Sequence, residues 1–148
     1  MFDSKEDFYT QFKEYVTNIN PIKDKCVFIN KSAMGNLFLT YDGNLLRSSL
    51  EYHFFNEMCK NHIDNILYYT DRVYPNQEDG RFRYDFYFPD FEEYVEIAGM
   101  MDIDEYKSKL LTKKELFSPI ILYTLDDITK YVSGLAIRYK QMENDLCR

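Results

Sequence analysis

Residues 81–99 read Arg-Phe-Arg-Tyr-Asp-Phe-Tyr-Phe-Pro-Asp-Phe-Glu-Glu-Tyr-Val-Glu-Ile-Ala-Gly. Two extended runs, 81–88 and 94–98, flank a short turn in which Asp90 follows Pro89 as a turn residue, and Gly99 breaks the second run. Side chains alternate faces along a strand. Phe82, Tyr84, Phe86 and Phe88 therefore share one face of the first strand, and Arg81, Arg83, Asp85 and Tyr87 the other. In the second strand Val95 and Ile97 face one way, and Tyr94, Glu96 and Ala98 the opposite way. A hairpin turn centred between Asp90 and Phe91 sets Phe86 against Val95 on the core face and Asp85 against Glu96. Directly opposed side chains lie about 4.5–5.5 Å apart, where like charges are destabilising. A divalent cation removes that objection, because Mg²⁺ binds where hard oxygen ligands converge. The plain alternative is a pair of ordinary surface acids. The same register puts Arg83 opposite Ala98, beside the carboxylates, where it orients a phosphate or only balances charge.

Outward from this segment, the chain alternates helical and extended patterns. Ser4 and the spacing of Phe8, Phe12, Tyr15, Val16 and Ile19 predict a helix over 4–19, ended by Asn20-Pro21. A short strand follows at 26–29, then a hairpin, 37–41 and 45–46, joined at Asp42-Gly43. Leu50, Phe54 and Met58 mark the buried stripe of a helix over 49–62. Residues 66–69 and 72–74 read as extended, and 75–80 as a polar loop. A Lys-rich helix spans 104–117, a buried strand 119–123, and the clearest helix 125–142, where Thr124 and Asp127 give a capping signal. This order predicts an α/β single domain with a mixed sheet core flanked by helices. Residues 1–46, a helix-and-hairpin region, and 47–148, the core, form one compact unit in this reading.

Composition narrows the function. The chain has 148 residues, 25 Asp+Glu against 18 Lys+Arg, and a formal charge of −7. That acidity argues against nonspecific attachment to nucleic acid, which needs clustered Lys and Arg. With 14 Tyr, 12 Phe and no Trp it is too aromatic to be disordered. No run of about 18–20 apolar residues is present to span a bilayer, and the acidic start, MFDSKEDF, does not read as a secretory signal. Three cysteines without a CxxC pair argue against a disulfide framework or structural zinc and make the cytoplasm the default compartment. Two histidines, His53 and His62, are too few for a His-metal nuclease. Gly-rich phosphate loops, Gly-x-Ser-x-Gly elbows and Cys/His dyads are absent.

The run Asp85-Phe-Tyr-Phe-Pro89, a short gap, then Val95-Glu-Ile-Ala-Gly99 resembles the core of the PD-(D/E)XK, or restriction-endonuclease-like, nuclease superfamily, particularly its small very-short-patch-repair and phage Holliday-junction members. Upstream, Arg47-Ser48-Ser49-Leu50-Glu51 resembles the helix start that supplies a further acid. Downstream, Tyr106, Lys109 and Lys113 match a Tyr/Lys pattern on a helix. The likeness covers roughly residues 47–125. It implies a Mg²⁺- or Mn²⁺-dependent endonuclease cleaving DNA, RNA not being separable, encoded by a phage or mobile element and acting as monomer or homodimer. Asp85 and Glu96 hold the metal, with the Ile97 carbonyl as third ligand, and Glu51 serves a second metal or orients water. Arg83, Lys109 and Lys113 contact phosphate.

Glu51 reads equally well as part of a Ser48-x-x-Glu51 capping box. The basic helix reads equally well as a solvated face. One departure stands out: the Lys of the family's Glu-x-Lys is Ala98 here. Either a basic group from Lys109, Lys113 or Arg83 replaces it, or a second metal does, or the fold is retained without catalysis to bind DNA or inhibit a partner protein.

Overall fold

The computed structural model describes residues 26–32, 35–77, 80–99 and 103–146. The helix expected over 4–19 lies outside them. The elements run β1 (Cys26–Ser32), β2 (Gly35–Thr40), β3 (Leu45–Leu46), α1 (Ser49–Lys60), β4 (Tyr69–Val73), β5 (Arg83–Phe88), β6 (Glu93–Ile97), α2 (Asp104–Phe117), β7 (Ile120–Leu122) and α3 (Leu125–Leu146). Strands β1-β2-β3 form one antiparallel sheet. Strands β4-β5-β6-β7 form the second, antiparallel except for the parallel pair β6–β7. The α/β reading with a mixed sheet therefore holds.

Local chemistry sets the boundaries. Ser48 Oγ accepts from Glu51 N at 3.1 Å and caps α1. Asp127 N donates to Thr124 Oγ1 at 3.0 Å while Asp127 Oδ2 accepts from Thr124 N at 3.2 Å, the reciprocal cap of α3. Gly43, at φ 85°, supplies the left-handed turn residue between β2 and β3. A single 3-10 turn, Pro89–Phe91, links β5 to β6.

The principal core gathers Phe54, Phe55 and Met58 of α1, Phe86 and Phe88 of β5, Val95 of β6, and Ile128, Val132 and Leu135 of α3. Phe54 stacks on Phe86 with ring centroids 4.2 Å apart. Each such side chain stabilises the fold by about 1.5–3 kcal/mol relative to exposure. Phe38 and Leu46 join the same cluster, so the small sheet and the large one share a core.

A second, aromatic cluster holds Tyr74, Phe82 and Tyr84, packed by Tyr69, Tyr87, Tyr94 and Phe117. Its composition corrects the simple alternation expected for β5. Phe86 and Phe88 enter the principal core, but Tyr84 packs with Tyr87 (5.8 Å) and Tyr94 (5.4 Å), side chains of the opposite face. The switch falls at Asp85. On the neighbouring strand the pairs Thr70↔Phe86 and Arg72↔Tyr84 leave Asp71 level with Asp85, and Asp71 has φ 51°. Alternation presumes unbroken extended backbone, and a left-handed residue in the adjoining strand interrupts it.

Candidate functional site

Strands β5 and β6 pair through Phe86↔Val95, Tyr87↔Tyr94 and Phe88↔Glu93, the register expected from the sequence. Beyond Phe86 the main-chain ladder gives way to a side chain: Asp85 Oδ2 accepts from Ile97 N at 2.7 Å. Asp71, Asp85 and Glu96 consequently form a row across three adjacent strands. The N-terminus of α1 closes the same end of the sheet, and a Cβ at Gly99 would meet Leu50 Cδ1 at 2.7 Å. This close approach gives Gly99 a packing role.

Each acid has named partners. Glu96, 1% exposed, accepts at Oε1 from Tyr74 Oη (2.9 Å) and pairs there with Lys113 Nζ (3.0 Å). Glu51 is engaged as a capping residue: Oε1 accepts from Arg47 N at 3.2 Å and Oε2 from Ser48 Oγ at 3.2 Å. The Ile97 carbonyl accepts from Tyr106 Oη at 2.8 Å. Asp71 is gripped by two arginines: Arg47 Nη1 reaches Oδ2 at 3.0 Å, Arg83 Nε reaches Oδ1 at 3.3 Å, and Arg83 Nη2 donates to its carbonyl at 2.7 Å.

The electrostatics register this crowding. Burial first, and then the Asp85 charge, push the Glu96 carboxyl up to about 8, against the pull of Lys113 and Tyr74. Burial also raises Asp85, opposed by the Ile97 N–H, by Lys113 and by a hydrogen bond from Glu96, and Asp71 adds to the rise. Glu51 stands well above the ordinary carboxylate range through burial and then the nearby Asp85 charge. Tyr106 is raised by burial, then by Asp85 and Glu96. Glu51, Asp85 and Glu96 thus share one electrostatic neighbourhood although 45 residues separate the first from the last.

The sequence reading is met unevenly here. Asp85 and Glu96 come together as expected. The cation beside them is Lys113, delivered by the inner stripe of α2, Tyr106, Leu110, Lys113 and Phe117. Position 98 itself is buried, and Ala98 N donates to Leu122 O at 2.9 Å. Lys109 is exposed, off that stripe, and makes no hydrogen bond or ion pair among the described residues. One expectation needs correction. Arg83 does not lie across from Ala98, because β6 has left β5 by that level and Arg83 pairs instead toward β4 and Asp71. Asp71 and Arg47 were missed as site residues. The one trace of Asp71 in the sequence was the gap at 70–71 between two extended runs.

Among the described residues no group of three His, Cys, Asp or Glu side chains is arranged as a ready-made metal cage. The donor set still fits a hard cation. Mg²⁺ is commonly held by one or two carboxylates, with water and substrate phosphate completing its shell, and Asp85 and Glu96 are such a pair. A cation between them would relieve the repulsion that raises the Glu96 carboxyl. Comparison with family models, curated proteins and solved structures gives no match for this chain. No helix among the described residues is long and apolar enough to cross a membrane.

Proposed function

We propose that the protein is a divalent-metal-dependent endonuclease that cleaves DNA phosphodiester bonds, as the resemblance to PD-(D/E)XK nucleases implies. The observation that carries this reading is Asp85, held on β6 by the Ile97 N–H, beside the buried Glu96, with Lys113 paired to Glu96 and Glu51 close enough to feel the Asp85 charge. Stability alone gives no reason to press these acids together, since each is raised by burial and by its neighbours.

Asp85 and Glu96 would hold Mg²⁺ or Mn²⁺. Bound there, the ion acidifies water and offsets charge on the phosphate. Lys113 supplies the fixed positive charge that Ala98 cannot. Its side chain is mostly buried, and a preorganised cation in such a place stabilises charge growing on phosphate oxygens more than one in water does. Arg47 and Arg83, fixed on Asp71 at the rim, are exposed enough to take neighbouring phosphates. These cations oppose the overall −7 where an anionic substrate must approach. Tyr106 holds the Ile97 carbonyl, and Glu51 holds the start of α1 against the site. Both keep the strand end and helix in place while the substrate binds.

The test is incubation of supercoiled plasmid with the protein and Mg²⁺ or Mn²⁺, beside Asp85→Ala and Glu96→Ala. Nicked or linear product from the parent protein should fall by at least 10³-fold in each variant. Folded protein that leaves plasmid, branched DNA and RNA intact would overturn the reading in favour of a non-catalytic binding protein, which Ala98 would then explain.

A further inference from the structure

Beside the carboxylates, and separated from them by Tyr74, the aromatic cluster opens into a cavity of about 470 Å³ walled by Phe82, Tyr94 and Phe117 and rimmed by Pro75, Asn76 and Leu116. Tyr74 is the partition. Its hydroxyl donates to Glu96, and its ring stacks on Phe117 at 4.2 Å and packs on Tyr94 at 4.9 Å. Tyr94 and Glu96 lie two residues apart on β6, about 7 Å along one face, so cavity and carboxylates are within reach of a single nucleotide.

The cavity is preformed. The Gln77 side-chain amide donates to Tyr74 O (2.8 Å) and Phe82 O (2.7 Å) and accepts from Phe82 N (2.8 Å), so one side chain ties both ends of the loop that lines it. Those two ends are fixed before any ligand arrives, which lowers the ordering cost of binding. Next in the chain to the wall residue Phe82, Arg81 sets its guanidinium 5.0 Å from the centre of the Phe82 ring. Aromatic faces beside an Arg are what single-stranded nucleic acid binds, because every base has a π face and every linkage a negative charge.

We infer that this cavity receives one unpaired base of the nucleic-acid substrate, so that the protein acts on single-stranded or unstacked segments in preference to intact duplex. The inference rests on the nuclease reading for its placement beside the cut. A base stacked in a duplex cannot reach the rings of this open-mouthed cavity without leaving its partner.

The test uses a fluorescent single-stranded oligonucleotide and its duplex, titrated in Ca²⁺, against the parent protein, Leu116→Glu and Leu111→Glu. Leu116 is 59% exposed at the rim and Leu111 54% exposed on the same helix outside the cavity, so both changes add one charge at little risk to folding. Single strand should bind at least tenfold more tightly than duplex, and Leu116→Glu should weaken it at least tenfold while Leu111→Glu does not. A 5-iodouracil strand should photocrosslink to Tyr94 or Phe117. Equal binding of single strand and duplex, or an unaffected Leu116→Glu protein, overturns the inference. Plasmid cleavage with an idle cavity would sink this inference alone. Cavity-dependent binding without cleavage would sink the nuclease reading alone.

Discussion

Strand β6 carries a glutamate near each end, and the two are treated in opposite ways. Glu93 meets Arg138 through Nη1–Oε2 (2.5 Å) and Nη2–Oε1 (2.9 Å), with Tyr131 Oη donating at 2.7 Å. The Arg138 hydrogen bonds hold its carboxyl below the ordinary range despite partial burial. The same guanidinium lies 4.9 Å from the Phe91 ring centre. Glu96, three residues on, also has a cation and a tyrosine, yet its carboxyl is raised, because deeper burial and the Asp85 charge outweigh Lys113 and Tyr74. A carboxylate placed for stability resembles Glu93. A carboxylate crowded by another acid at a strand end is costly in the ligand-free protein, and the metal role proposed for Glu96 would account for that contrast.

The sharpest way to break this comparison is to remove the two cations in turn. Lys113→Met should lower metal-dependent cleavage by about 10²-fold, the usual loss when one preorganised charge is taken from a transition state. Arg138→Met should leave cleavage within about threefold. Equal losses measured on plasmid would mean that Lys113 is only structural.

Stability should then respond with opposite sign. Urea unfolding of Glu93→Gln should show a loss of about 1 kcal/mol, as expected for a well-formed but partly exposed ion pair. Asp85→Asn removes repulsion from Glu96 while retaining an oxygen for the Ile97 N–H, and should be neutral or stabilising by up to about 1 kcal/mol. A clear destabilisation by Asp85→Asn would place that acid among ordinary structural groups.

The smallest effect is in pH. Glu96 binds its proton more tightly folded than unfolded, so its contribution to stability is fully present below its ordinary value and lost as pH rises through about 8. Glu93 behaves inversely: its contribution is present above the ordinary carboxylate pKa and lost as pH falls through its lowered value. With chelator present, Tm should decline between pH 5 and 8, and Glu96→Gln should flatten that decline. Glu93→Gln should instead soften the loss at acid pH. An unchanged alkaline slope in Glu96→Gln would show that Glu96 is not held protonated.

Much of this was legible in the chain. The Thr124/Asp127 cap and the 3-4 spacing of Leu125, Ile128, Val132 and Leu135 locate α3, and the Pro89–Asp90 turn sets the β5–β6 register, because caps, periodicity and turns are local. Asp85 opposite Glu96 followed from that register. Arg83 was misplaced because a hairpin says nothing of where its strands part company or which other strand lies beside them.

The amino-acid sequence alone determined the α/β class, the hairpin and the pairing of two acids across it, since those depend on neighbours within a few residues. Only the tertiary structure decided that Asp71 lies level with Asp85, that α2 brings Lys113 rather than Lys109 to Glu96, and that Tyr84 turns away from Phe86. Those outcomes depend on how separate elements pack and on one left-handed residue in an adjacent strand, and no local pattern encodes either.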